Sequence, residues 1–104
     1  MTVDEAGEIL SRLAKGEALL WRSRHSLDRL EERGYTMQDV YKIIRSRKME
    51  RAPLWDPTHE NHVVRLRDKS FDGRPTELVL GLQEVGPCVF ITIKDRSPRR
   101  ARPK

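Results

Sequence analysis

Residues 76–94 read TELVLGLQEVGPCVFITIK, and this stretch predicts two antiparallel strands. Every second residue from Leu78 to Leu82 is a leucine, which places these side chains on one face of the first strand. Gly86-Pro87 supplies a turn after it. Residues 88–95 are apolar on parts of both faces, a pattern typical of a strand in the middle of a sheet.

The segment before this pair predicts further strands. From His62 to Leu66 the apolar residues again recur with a period of two, and the turn pair Asp72-Gly73 follows. Residues 49–55 fit an edge strand, the position in a sheet where an internal proline such as Pro53 is tolerated. We therefore expect an antiparallel sheet of about four strands.

The first half of the chain predicts helices. A capping box at Thr2 and Glu5 begins a helix over 3–15, and Thr36 with Asp39 begins another. A two-turn helix over 26–33 lies between them. Residues 18–21 fit either a short first strand, which we favour, or a continued helix. The predicted fold class is α+β, with two or three N-terminal helices packed on one face of the sheet.

Length and charge indicate one domain with a basic tail. The chain has 104 residues and a net charge of +5, and five cations lie in the segment 96–104. Residues 1–95 therefore carry 16 basic and 16 acidic side chains and form the predicted domain, with an extension helix over 1–16. We expect the tail to be disordered, and Arg99 and Arg100 either contact phosphates or only keep the terminus soluble.

The composition limits which cellular location and which cofactors we expect. The single cysteine excludes an internal disulfide, and no stretch is apolar enough to span a membrane. The acidic start does not resemble a signal peptide, so we expect a cytoplasmic protein that has no membrane partner. His59 and His62 have a spacing seen in metal sites, but no third ligand is evident, so we favour an exposed polar loop and expect no metal or cofactor. The two tryptophans, Trp21 and Trp55, are expected in the core because the chain has few aromatic residues.

The candidate chemistry lies in the segment 25–34. His25, Arg29 and Arg33 are spaced four apart, which places them within about 80° of one another on a helix. A histidine can move a proton near neutral pH, and an arginine can hold two phosphate oxygens. The alternative is a charged helix face on which His25 caps the helix and the arginines pair with neighbouring acids.

The segment from His25 to Val40, together with Ile91-Thr92-Ile93, resembles the bacterial domain-of-unknown-function 4258 family. The resemblance covers residues 18–95 and implies a RelE/barnase-like fold, as in the toxins of toxin–antitoxin pairs. It implies a metal-independent ribonuclease and a small antitoxin-like protein as partner. The site residues that it supports are His25, Arg29, Arg33, Thr92 and Lys94.

These observations give two function hypotheses. In the first, the protein is a ribonuclease-like toxin in which His25 transfers the proton and Arg29, Arg33 and Lys94 hold the phosphate. Arg65 and Arg67, with Thr92 and the tail arginines, would then contact RNA. We expect His25 and Lys94 to share one concave surface. In the second hypothesis, the protein binds a protein or a nucleic acid without catalysis.

Overall fold

The computed structural model describes residues 1–97 and contains three helices and five strands. In chain order these are α1 (Val3–Ala14), β1 (Leu20–Arg22), α2 (Arg24–Glu32), α3 (Met37–Ser46), β2 (Leu54–Asp56), β3 (Asn61–Lys69), β4 (Pro75–Leu82) and β5 (Cys88–Asp95). The α+β class is confirmed, and β5 has the predicted bounds. No helix within residues 1–97 is long and apolar enough to cross a membrane.

The sheet has the order β1-β5-β4-β3-β2 and is mixed. The expectation of about four antiparallel strands is therefore wrong in number and in direction. Strand β1 pairs in parallel with β5 through Leu20↔Cys88, Trp21↔Val89 and Arg22↔Phe90, while the other pairs are antiparallel. A strand of only three residues carries too little periodicity for its partner or direction to be read from sequence.

A β-bulge interrupts the pairing of β4 with β5. Val79 pairs with Thr92 and Leu80 pairs with Phe90, so Ile91 has no partner on β4. The extra residue reverses the alternation of β5, because side chains point to opposite faces at successive positions. Thr92 and Lys94 consequently face away from Phe90, although simple alternation predicted that they share its face.

All three helices pack on one face of the sheet. Buried residues of α1, α2 and α3 form a single core with alternate residues of β3 and β4, among them Val64, Leu66 and Leu80. Capping boxes begin α1 and α3 at the predicted residues, with Thr2 and Thr36 as N-caps. Helix α2 begins two residues earlier than predicted, at Arg24 with Ser23 as its N-cap, so His25 lies within the helix and does not cap it.

Candidate functional site

The sheet face opposite the helices, which we call the open face, carries the strongest cluster of charge. Arg65, Arg67, Glu77 and Lys94 lie here, at strand positions that alternate with core residues. Register brings them together, since Glu77 pairs with Arg67 on one side and with Lys94 on the other. Arg65 and Arg67, the predicted RNA-contacting residues, and Lys94, the predicted phosphate-holding residue, are brought together in one site by the fold.

Glu77 is the centre of this cluster and is only 2% exposed. Four cations lie within ion-pair distance of its carboxylate: Arg65 Nη1 at 3.7 Å and Arg67 Nη2 at 3.8 Å from Oε1, and Lys94 Nζ at 3.2 Å and Arg96 Nη1 at 3.5 Å from Oε2. Burial raises the pKa of Glu77, but the ion pair with Lys94 and the nearby charges of Arg65 and Arg67 outweigh it and leave the pKa lowered. Glu77 is therefore ionised near neutral pH.

These side chains line a cleft of about 380 Å³, which we call the cationic cleft. Its walls are Glu50, Arg51, Ala52, Leu54, Val63, Arg65, Arg67, Glu77, Lys94 and Arg96. Five cations and two carboxylates leave a net charge of +3. Arg67 also pairs with Glu50 at the rim of the cleft. A cleft with this surplus of guanidinium groups suits an anion that can displace part of the internal pairing.

The cationic side chains of the cleft are partly exposed to solvent. The side chains of Arg65, Arg67, Lys94 and Arg96 are between 38% and 54% exposed, whereas the carboxylate between them is buried. A ligand that enters the cleft therefore meets guanidinium and ammonium groups before it meets Glu77. Glu77 holds the cations in place, and the partial exposure of Arg65, Lys94 and Arg96 leaves part of each side chain accessible to a ligand, whereas Arg67 is also paired with Glu50.

Arg33 and Thr92 are also brought together, but in a structural contact. Arg33 Nη1 donates hydrogen bonds to the carbonyl oxygen of Ile93 at 2.6 Å and to Thr92 Oγ1 at 3.2 Å. Arg33 is the C-cap of α2, so this contact ties the end of the helix to β5. Arg33, which was expected to hold the phosphate, thus uses its Nη1 group to bind the sheet.

His25 does not meet the cationic cleft. Both His25 and Arg29 are exposed on α2, and neither is among the residues that line the cleft around Lys94. The cleft that contains Lys94 is therefore not the concave surface that His25 and Lys94 were expected to share. The reason is the bulge at Ile91, which turns Lys94 to the open face while the helices cover the other face.

The basic tail contributes to the site at its first residue. The Arg96 backbone N–H donates to the carbonyl oxygen of Pro75 at 2.7 Å, which continues the pairing of β5 with β4. The predicted tail arginines Arg99 and Arg100 lie outside the described residues 1–97.

Four charged residues of the cleft are absent from the sequence-based candidates: Glu50, Arg51, Glu77 and Arg96. Arg96 entered the sequence analysis only as part of the tail segment 96–104. Glu77 could have been found from its place between Thr76 and Leu78, because an acid in an otherwise apolar strand requires cations on neighbouring strands.

The other candidates of the sequence have structural explanations. Cys88 is buried, and burial raises the pKa of its thiol, as expected for an inert side chain. His59 contacts Asp56 through Nδ1 at 2.8 Å. Within residues 1–97 no group of three or more possible ligands could hold a metal ion. The expectation that both tryptophans belong to the core is wrong, since Trp21 and Trp55 are each 54% exposed.

Comparisons with known proteins identify no relative of this chain. No protein-family model matches the chain, and no curated protein or solved structure matches it.

Proposed function

We propose that the protein binds RNA by holding its phosphate backbone in the cationic cleft. The observation that carries the proposal is the cluster of Arg65, Arg67, Lys94 and Arg96, which gives the cleft its surplus of positive charge. Guanidinium groups bind phosphate oxygens in a bidentate manner and form short, charge-assisted hydrogen bonds.

The arrangement of the cations favours a chain of phosphates over a single phosphate. Arg65 and Arg67 are two residues apart on β3, and alternate residues of a strand are about 7 Å apart. Lys94 lies two strands from β3, beyond β4, so the charges extend along the strands and across them. All four cations converge on the single carboxylate of Glu77, but their exposed outer sides are spread along and across the strands, where successive phosphates of an extended polyanion can contact them.

Binding is the function that this geometry supports best. Proton transfer to an RNA hydroxyl requires a titrating group beside the phosphate, and His25 does not line the cleft. Cleavage of RNA and pairing with an antitoxin-like protein therefore stay predictions from the family resemblance.

The test is fluorescence anisotropy with a labelled, unstructured single-stranded RNA at several salt concentrations. If about three phosphates are neutralised, the slope of log K against log salt is about −2, and affinity falls about 20-fold between about 50 and 200 mM salt. The double variant Arg65→Gln/Arg67→Gln should reduce the slope by about 1.4.

A charge-matched control separates the cleft from net charge. Arg12→Gln/Arg45→Gln removes the same two charges from exposed positions on α1 and α3, and it should bind RNA nearly as the parent does. Equal loss in both double variants, or no salt-dependent binding by the parent, overturns the proposal.

The same samples test cleavage. The parent is incubated with RNA in the presence of a chelator and the products are separated on a gel. Intact RNA supports binding without catalysis. If the parent cleaves RNA and His25→Ala abolishes the cleavage, the proposal that the protein only binds RNA is overturned and the ribonuclease hypothesis is supported.

A further inference from the structure

We infer that the ligand is single-stranded and that its unpaired bases lie on an apolar row beside the cationic cleft, with one base stacked on Trp21. This inference rests on the proposed function, because it assumes that the cleft holds the backbone of the same strand.

The row crosses the whole sheet. Successive register pairs Trp21↔Val89, Gly81↔Val89, Val63↔Gly81 and Leu54↔Val63 link β1, β5, β4, β3 and β2. Paired residues of neighbouring strands point to the same face, so these residues form one line on the open face. Four strand spacings of about 4.8 Å make the line about 19 Å long.

The row is continuous with the cationic cleft. Leu54 and Val63 belong to both, since they line the cleft and occupy one end of the row. On β3, Val63 is followed at the next position on the same face by Arg65. A strand whose phosphates lie on the arginines therefore has apolar surface directly beside it for its bases.

The two ends of the row are exposed, Val63 and Val89 are half-buried, and Gly81 at the centre is buried. Trp21 is 54% exposed although it belongs to a strand, and Leu54 at the other end is also exposed. In the centre, Gly81 leaves room for the amide of Asn61, since a Cβ at Gly81 would lie 2.4 Å from Asn61 Nδ2. The amide fills the space above Gly81, and Asn61 is only 4% exposed, so the exposed apolar surface lies toward the two ends of the row. Aromatic rings beside cations on a sheet are a sequence-tolerant platform for unpaired bases.

Charge complementarity selects the occupant. A protein partner of the apolar row would have to be acidic to fit the adjoining cleft, whereas single-stranded RNA supplies both flat apolar bases and negative phosphates. A duplex supplies the phosphates but hides the faces of its bases, so it gains nothing from Trp21.

The chain offers a matched control for Trp21. Trp55 has the same exposed fraction of 54% and also lies on an edge strand, but it pairs with His62 and so alternates with Leu54, which places it on the other face. Its ring contacts the His62 ring at a centroid distance of 4.8 Å. The variants Trp21→Ala and Trp55→Ala therefore remove equally exposed indoles from opposite faces.

The experiment measures binding of one RNA sequence as a single strand and as a blunt duplex. Trp21→Ala should weaken binding of the single strand about 5- to 150-fold, the range for loss of one stacked base. Trp21→Phe should retain most of the affinity, and Trp55→Ala should leave it unchanged. The salt slope of Trp21→Ala should equal that of the parent, because no phosphate contact is lost.

A fluorescence readout checks the contact directly. In the Trp55→Phe variant, Trp21 is the only tryptophan, and single-stranded RNA should quench its emission while duplex RNA should not. Melting curves of each variant confirm that it is folded.

The outcomes distinguish this inference from the proposed function. If Trp21→Ala binds the single strand as the parent does, or if the duplex binds as tightly as the single strand, the inference is overturned while the role of the cleft stands. If the parent binds neither form in a salt-dependent way, the proposed function itself fails.

Discussion

Glu77→Gln is expected to lower stability and raise affinity for RNA at the same time. The substitution keeps the size of the side chain but removes the charge that four cations share. The cations then repel one another without compensation, and they are also released for an external phosphate. The net charge of the cationic cleft rises from +3 to +4, as the residues that line it show.

The loss of stability follows from the four ion pairs. All four distances lie between 3.2 and 3.8 Å, but the cations are 38–54% exposed, so each pair has the strength of a solvated one. Such pairs contribute about 0.2–1 kcal/mol each. The sum is about 1–4 kcal/mol, and we expect a decrease of about 2 kcal/mol in the free energy of unfolding. For a domain of this size that lowers Tm by about 8–16 °C.

The pH dependence gives an independent check. The folded-state pKa of Glu77 lies below its ordinary value of 4.5. Its carboxylate therefore contributes its full stabilisation above the unfolded-state pKa and loses it as the pH falls through the folded-state pKa. The stability difference between the parent and Glu77→Gln should be constant near neutral pH and should shrink as the medium is acidified below about pH 4.5.

The assay combines thermal unfolding followed by circular dichroism with RNA binding at several salt concentrations. For the variant, the slope of log K against log salt should steepen by about 0.7 for one further phosphate. Glu31→Gln makes the same charge change on an exposed position of α2 and serves as the control. Unchanged Tm, or weaker RNA binding by a folded Glu77→Gln protein, refutes the view that Glu77 holds the cations and competes with the ligand.

Two further substitutions and a truncation test other parts of the structure. Arg33→Ala removes both hydrogen bonds to β5 and should cost about 2 kcal/mol in thermal unfolding, since a hydrogen bond of a charged group contributes about 1.5–3 kcal/mol. Thr92→Val removes only the longer of the two hydrogen bonds and should lower the free energy of unfolding by about 1 kcal/mol. An unchanged Tm in Arg33→Ala would contradict a structural role for Arg33. Truncation after Ser97 should change stability by less than about 0.5 kcal/mol, because the removed segment has no large apolar side chain to bury. It should also weaken RNA binding at low salt, and a large drop in Tm would contradict the prediction.

The local elements were predictable because their signals are local. Periodicity defined β5 with its observed bounds, and the capping boxes at Thr2 and Thr36 marked the starts of α1 and α3. These features depend on residues within one strand or one turn, where side-chain spacing and backbone hydrogen bonding act directly. Arg65 and Arg67 were likewise proposed from their alternation in a strand, whereas Lys94 was proposed from the family resemblance.

The tertiary structure alone decided how these residues meet. Ile91 is neither glycine nor proline and gives no sign of a bulge, yet the bulge turns Thr92 and Lys94 to the open face. The parallel pairing of β1 with β5 joins residues nearly 70 positions apart, and it brings Trp21 into line with Val89. Register also set Glu77 between Arg67 and Lys94. Sequence determined which side chains each strand carries. The face to which each side chain points and the partners of each strand depend on packing across the whole sheet. They determined that the cations gather around Glu77 and apart from His25.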